Sequence, residues 1–236
     1  ALDALSDLGL LHITPVTELK GEDLETCHSA LREARSTQLS LQAYRKQPVP
    51  DAVTLSESDR AQPLAKAGEL LLRKRALALE IDALRKEQMV LEPYGDFNPA
   101  TITSLRAQGL TVRLYHTSGK KPVTPPDGAL LHLITSDSRG QYFAIVGQGD
   151  FACEASEFPL PTRSLSEAIA ARDLVNSEMN EIDSLLAALS RESATIQTLI
   201  AALEGKDAYV TARVGMGSAY RIAYLQGFFP ADLLPD

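Results

Sequence analysis

Residues 164–205 read SLSEAIAARDLVNSEMNEIDSLLAALSRESATIQTLIAALEG. Ser164 with Glu167 three residues on is a capping box, in which each side chain satisfies a backbone donor at a helix start. Behind it, apolar residues alternate at spacings of three and four. The series runs Val175, Met179, Ile182, Leu186, Leu189, Ile196, Ile200 and Leu203, with Ser193 its one polar member. A seven-residue rhythm sustained this long is the signature of a coiled coil, because helices in compact bundles drift away from strict sevens. The stretch predicts one continuous helix from Ser164 to Leu203, ended by Gly205. At about 1.5 Å per residue it forms a rod of roughly 60 Å, longer than a small domain is wide. A rod of that length joins two places.

The upstream chain supplies the partner helices. From Lys20 to Lys46, Leu24, Cys27, Leu31, Ala34 and Leu41 share one side of a helical pattern. QPVPDAVTLSESD (47–59) breaks it, since its prolines cannot continue a helix. A second helix runs from Gln62 to Leu91. Leu70, Leu77, Leu84 and Leu91 recur every seven residues with Ile81 between two of them, while Lys74 and Gln88 interrupt the seam. The two outbound helices are together longer than the return, so they overlap side by side for part of the way. The chain leaves along one path and returns along it, as an antiparallel coiled coil.

Between the outbound and return paths lies a separate module, which opens with MVLEPYGDFNPATITSLRAQGLTVRLY (89–115) and extends to Arg163. Asn98 caps a short helix with Pro99 in its first turn and Gly109 beyond its end. Strand 110–117 alternates, with Val112, Leu114 and His116 one way and Thr111, Arg113 and Tyr115 the other. Segments 129–136 and 141–148 flank DSRG as a hairpin. This is a small α+β lobe close to the lower limit for independent stability. At the ends, residues 1–8 read as a helix, LLHITPV (10–16) as a strand, and YRIAYLQGFF (220–229) as its strand partner.

The predicted fold is therefore α+β, an elongated dumbbell in which an antiparallel helical coiled coil joins two small α/β lobes. Residues 1–19 and 206–236 form a terminal lobe, incomplete as it stands; 20–92 and 164–205 form the coil; 93–163 form the inserted lobe. The chain begins without Met, inside a helical pattern, and reads as a trimmed fragment.

Charge and composition exclude several functions. A formal net charge of −8 argues against nucleic acid as a partner. Two cysteines, Cys27 and Cys153, fall in different modules and suggest free thiols in a reducing compartment. No apolar run is long enough to span a bilayer. GMG (215–217) and GQG (147–149) lack the third glycine and following helix of a dinucleotide fingerprint, and read as turn glycines. SGKKP (118–122) reads as a basic loop, and RKR (73–75) as a solvated helix face. His12, His28, His116 and His132 show no metal spacing, and Cys27 and His28, adjacent on a helix, point about 100° apart. No residue is singled out as catalytic, cofactor-binding or metal-ligating, and no individual partner-binding residue can be named.

Three phrases carry a resemblance. ALDALSDLGLLHI (1–13), LEPYGDFNPATI (91–102) and RIAYLQGFFPADLLPD (221–236) resemble, in order and spacing, the cytoplasmic amino-terminal part of subunit I of V/A-type rotary ATPases, subunit a of eukaryotic V-ATPases. The resemblance spans essentially the whole chain. It implies a non-catalytic stator scaffold of a proton- or sodium-translocating ATPase or ATP synthase, held at the cytoplasmic face of the membrane. Its implied partners are peripheral-stalk subunits and the central-stalk cap subunit. The family's ion half-channels and essential arginine belong to a membrane domain outside these residues, so no ion-path residue is carried over. Two rivals stand beside it. One is a coiled-coil adaptor or hinge that dimerises through the inserted lobe, where the family implies a monomeric fragment. The other is an enzyme hidden in the small lobe, which would need a conspicuous pocket.

Overall fold

The structure, a computed structural model, describes residues 12–51, 53–119, 123–151, 153–220 and 222–228. Along the chain run β1 (His12–Thr14), α1 (Glu22–Gln42), α2 (Glu57–Ala61), α3 (Pro63–Leu91), a 3-10 turn (Glu92–Tyr94) and α4 (Pro99–Ala107). Then come β2 (Leu110–Thr117), β3 (Leu130–Ser136), β4 (Gln141–Gln148), β5 (Ser156–Phe158), α5 (Leu165–Leu189) and α6 (Ser193–Val214). β6 (Gly217–Ala219), β7 (Ile222–Tyr224) and β8 (Gln226–Phe228) close the order. The fold is α+β with antiparallel strands throughout. It divides into two compact units, one of residues up to Leu72 together with those from Glu181 onward, the other from Arg73 to Asn180.

In the first unit α1 and α6 run antiparallel, as their ion pairs record. Asp23 meets Arg213 at 2.7 Å, His28 lies 3.4 Å from Asp207, and Arg35 meets Glu204 at 2.8 Å. As one number rises the other falls. Leu24, Leu31, Ala34, Thr37 and Leu41 line the buried side of α1, while Cys27, expected among them, is only half-buried. Ile196, Ile200, Val210 and Ala212 are buried on α6.

The continuous helix expected from Ser164 to Leu203 is not formed. α5 ends at Leu189, residues 190–192 turn, and α6 begins at Ser193. Ser190 is buried, and its hydroxyl donates to the Ala187 carbonyl at 2.7 Å. The amides of Arg191 and Glu192 reach back only three residues, to Ala188 and Leu189, tightening the last turn. Glu192, at φ −76° and ψ 40°, leaves helical geometry and caps α6 without a side-chain hydrogen bond. Leu186, Leu189, Ile196 and Ile200 stay buried on both sides of the turn. The sevenfold spacing therefore records burial rather than an unbroken backbone. Gly205 does not end the helix either, because α6 passes through it to Val214.

The expected pairing of the chain's outer strands is present. β1 and β8 are antiparallel, with His12 opposite Phe228 and Thr14 opposite Gln226. The Val16 amide donates to the Gly215 carbonyl at 2.8 Å and the Thr17 hydroxyl to the Val214 carbonyl at 3.0 Å, pinning the chain after β1 to the end of α6. The single strand expected over 220–229 is instead two short ones. β7 pairs with β6, and β8 with β1. The predicted helix over residues 1–8 lies outside the described residues.

In the second unit the α3 and α5 segments are also antiparallel. Arg73 forks onto Glu178 with bonds of 2.7 and 2.9 Å, and Gln88 reaches Ala168. Leu77, Ile81, Leu84 and Leu91 bury the α3 seam, with Ala168 and Val175 buried on α5. The predicted capping box is present and reciprocal. The Ser164 amide donates to Glu167 Oε2 at 2.7 Å, and the Glu167 amide to Ser164 Oγ at 3.1 Å.

Between α3 and α5 stands a four-stranded antiparallel sheet of order β3-β4-β2-β5. The alternation of β2 holds, and both faces are covered. Leu114 and Tyr142 join Tyr94 on one face, with Phe97, Ile134 and Phe158 against them. Tyr115, Phe143 and Ile145 form the core of the other, with Leu131, Phe151 and Cys153 at its margin.

Candidate interaction surfaces

LEPYGDFNPATI builds the junction between helix and sheet. Leu91, Pro93 and Tyr94 are buried, and Gly95 turns the chain at φ 77°. The carboxylate of Asp96 accepts the Ser166 amide at 3.0 Å, satisfying one of the donors that a helix start leaves free. Asn98 caps α4 by accepting the Ala100 amide at 2.9 Å. Within a dozen residues the chain ends α3, closes the first turn of α5 and starts α4.

Tyr94 is the hub of the adjoining aromatic group. Its ring stacks on Phe158 with centroids 4.6 Å apart and meets Tyr142 edge-on at 5.4 Å, while His116 tilts against Tyr142 at 4.7 Å. Burial, with Tyr142 close by, pushes the Tyr94 hydroxyl up to a pKa of about 12. Tyr94, His116, Tyr142 and Phe158 line an open cleft of about 260 Å³ whose outer lip is Met89 and Val90, both exposed on α3. A second hollow, of about 190 Å³, lies between α4 and the β2–β5 edge, where Ile102, Arg106 and Leu160 face Val112. The first cleft is also lined by Arg139, Ser156 and Glu157, with Ser156 the cross-strand partner of His116.

Arg113 is the most buried cation of the sheet. It contacts Asp150 and Glu157 and lies 5.5 Å from the Phe151 ring. Burial opposes its charge, but the neighbouring Tyr115 hydroxyl and the two carboxylates outweigh that and raise its pKa. Tyr115 Oη and Arg113 Nε, although close, are both buried without a hydrogen bond of good geometry.

The other residues weighed in the sequence fall apart in space. His28 is beside Asp207, His116 is in the aromatic group, and His132 is exposed on β3. Cys27 and Cys153 are free thiols. Among the described residues no three His, Cys, Asp or Glu side chains gather as a metal site. No helix among them is long and apolar enough to cross a membrane. Gly147 and Gly217 have packing roles, whereas Gly149 turns the chain at φ 71° in open space. A Cβ on Gly217 would come within 2.4 Å of the Tyr224 ring, and one on Gly147 within 3.0 Å of Phe151. In RKR, Arg73 is held by Glu178. Residues 120–122 of the SGKKP loop lie outside the described residues.

What the fold defines is an α+β protein with antiparallel helix pairs and a small antiparallel sheet inserted in the chain. No family model matches the chain, and no curated protein matches it. Among solved structures it is similar to one described as the crystal structure of the cytoplasmic N-terminal domain of subunit I, homolog of subunit a, of V-ATPase. The match has 18% sequence identity and a TM-score of 0.38, and covers 97% of this chain and 88% of that one.

Proposed function

We propose that this chain is a stator element, the part of a V/A-type rotary ATPase membrane subunit that lies at the cytoplasmic face and anchors peripheral stalks against rotor torque. In this reading the chain has no catalytic role. The inserted lobe, 94–163, binds one stalk and the residues around β1 and β8 bind another. The phrases at 1–13, 91–102 and 221–236 motivate the assignment.

The structural observation that carries it is the junction at Asp96. A stator transmits load only if its attachment lobe cannot swivel on the helices behind it. The Asp96–Ser166 bond, the reciprocal Ser164–Glu167 cap and the 3.3 Å Arg163–Glu87 ion pair fix both strands of chain that enter and leave the lobe. Several modest contacts presented by one chain then gain from effective concentration. The test replaces residues 94–163 with a short turn and measures capture of purified peripheral-stalk subunits. Loss of one stalk contact is expected; undiminished capture overturns the proposal.

A further inference from the structure

The sheet in the second unit has two unlike edges. At one, β5 is three residues long, carries Glu157 at its centre and runs directly into Pro159 and Pro161. Short length, charge and proline are the devices by which proteins keep a strand edge from pairing with another chain. At the other edge, β3 is seven residues long and reads LLHLITS. It contains no Lys, Arg, Asp, Glu or Pro. Leu130 is 76% exposed and Leu133 50% exposed. No strand among the described residues pairs with its outer side. A register shift between Leu133 and Thr135 is its one irregularity, and it leaves Leu130–Leu133 regular.

We infer that β3 is an interaction edge that pairs, antiparallel, with β3 of a second copy of this chain. The sequence of the strand selects that partner. In an antiparallel pair directly opposed residues lie on the same sheet face, so a twofold axis through His132 sets Leu131 opposite Leu133 of the other copy, and Leu133 opposite Leu131. Leu131 and Leu133 sit across from Ile145 and Phe143 on β4. The four leucines of the joined edges would thus extend the Tyr115, Phe143 and Ile145 core face across the axis. Tyr94 packs with Leu114 and Tyr142 on the opposite face. No Lys, Arg, Asp or Glu stands on the strand, so the one ionisable pair this register opposes is His132 with its own copy. Seven residues span about 24 Å, a small contact, so the pairing is weak and depends on concentration.

The inference does not rest on the stator reading and departs from the monomer that the family resemblance implies. In a stator, the same contact would tie two rotary complexes together through their inserted lobes. A monomer would leave the stator reading standing, and a dimer would leave it to be decided by stalk capture.

The test is sedimentation velocity of the whole chain from about 10 µM to about 1 mM, the range in which weak pairing is visible. A dimer fraction that rises with concentration is expected, and Leu133→Lys should abolish it while leaving the circular dichroism melt unchanged. A second measurement fixes the register. In a Cys27→Ser, Cys153→Ala background, His132→Cys should cross-link to its copy on mild oxidation, since opposed Cα atoms lie about 4.5–5.5 Å apart. Ser136→Cys should not, its copies being separated by more than about 20 Å along the strands. A monomer at every concentration overturns the inference, as does a dimer indifferent to Leu133→Lys or equal cross-linking at 132 and 136.

Discussion

The Gln88 side-chain amide on α3 donates to the main-chain carbonyl of Ala168 on α5 across 3.1 Å, and its oxygen accepts from Arg172 at 3.0 Å. A polar residue that interrupts an apolar seam is thus satisfied on both its donor and acceptor sides. Such a residue fixes which turn of one helix faces which turn of the other. Gln88→Ala should lower stability by about 1 kcal/mol, the usual net worth of such bonds. Gln88→Leu should cost less, because the leucine restores the apolar seam. Urea unfolding of both variants checks the order.

Gly140 should not tolerate a side chain. Its φ is 154°, and a Cβ would sit 2.0 Å from the Thr117 carbonyl oxygen and 2.9 Å from His116 Nε2. The carbonyl belongs to the backbone of β2 and cannot rotate away. Gly140→Ala is expected to cost about 3 kcal/mol. Gly149→Ala, also at positive φ but in open space, should cost about 1 kcal/mol. Thermal unfolding of the two proteins separates steric clash from backbone strain.

The Tyr94 hydroxyl gives the inserted sheet an alkaline limit. A folded pKa of about 12 against an ordinary value near 10 means that the unfolded chain loses this proton first. The stabilisation from keeping Tyr94 neutral is fully present below pH 10. It declines as pH rises from 10 to about 12, by up to about 2–3 kcal/mol. Tyr94→Phe should flatten this part of the stability profile. Chemical denaturation at a series of alkaline pH values, with tyrosinate absorbance followed alongside, reads both effects.

Gly205 distinguishes a helix that stops from one that continues. Inside α6 a methyl group there meets nothing within 4 Å. Gly205→Ala should therefore stabilise the protein by about 0.5–1 kcal/mol through helix propensity. A glycine that ended the helix in left-handed geometry would give the opposite sign. The midpoint of thermal unfolding decides between them.

The contrast at Gly205 shows what the sequence makes legible. Ser164 with Glu167 and Asn98 with Pro99 announced helix starts correctly, because capping is local chemistry written in adjacent residues. The alternation in β2 and the DSRG hairpin were equally readable, since a strand's two faces follow from its own period. The turn at 190–192 was not. Burial on both sides keeps the apolar spacing intact through it, and only the polar run Ser190, Arg191, Glu192 and Ser193 hints that the backbone bends. The division of YRIAYLQGFF between two partners was hidden for a related reason. β7 and β8 share one strand-like composition, and which strand each one joins is decided by distant residues, Gly217–Ala219 and His12–Thr14. For the interaction surfaces the lining residues lie in separate segments. Met89, His116 and Phe158 share no spacing that would mark them as neighbours.

The pairing of β1 with β8 carries a mechanical consequence. His12 and Phe228 are opposed at the same end of the ribbon. Tension applied between the chain before His12 and the chain after Phe228 would open the ladder one hydrogen bond at a time, as a zipper opens. That geometry yields to small forces, whereas pulling along the strands would strain every rung at once. A protein that withstands twisting through this region must receive the pull somewhere other than across these two neighbouring ends.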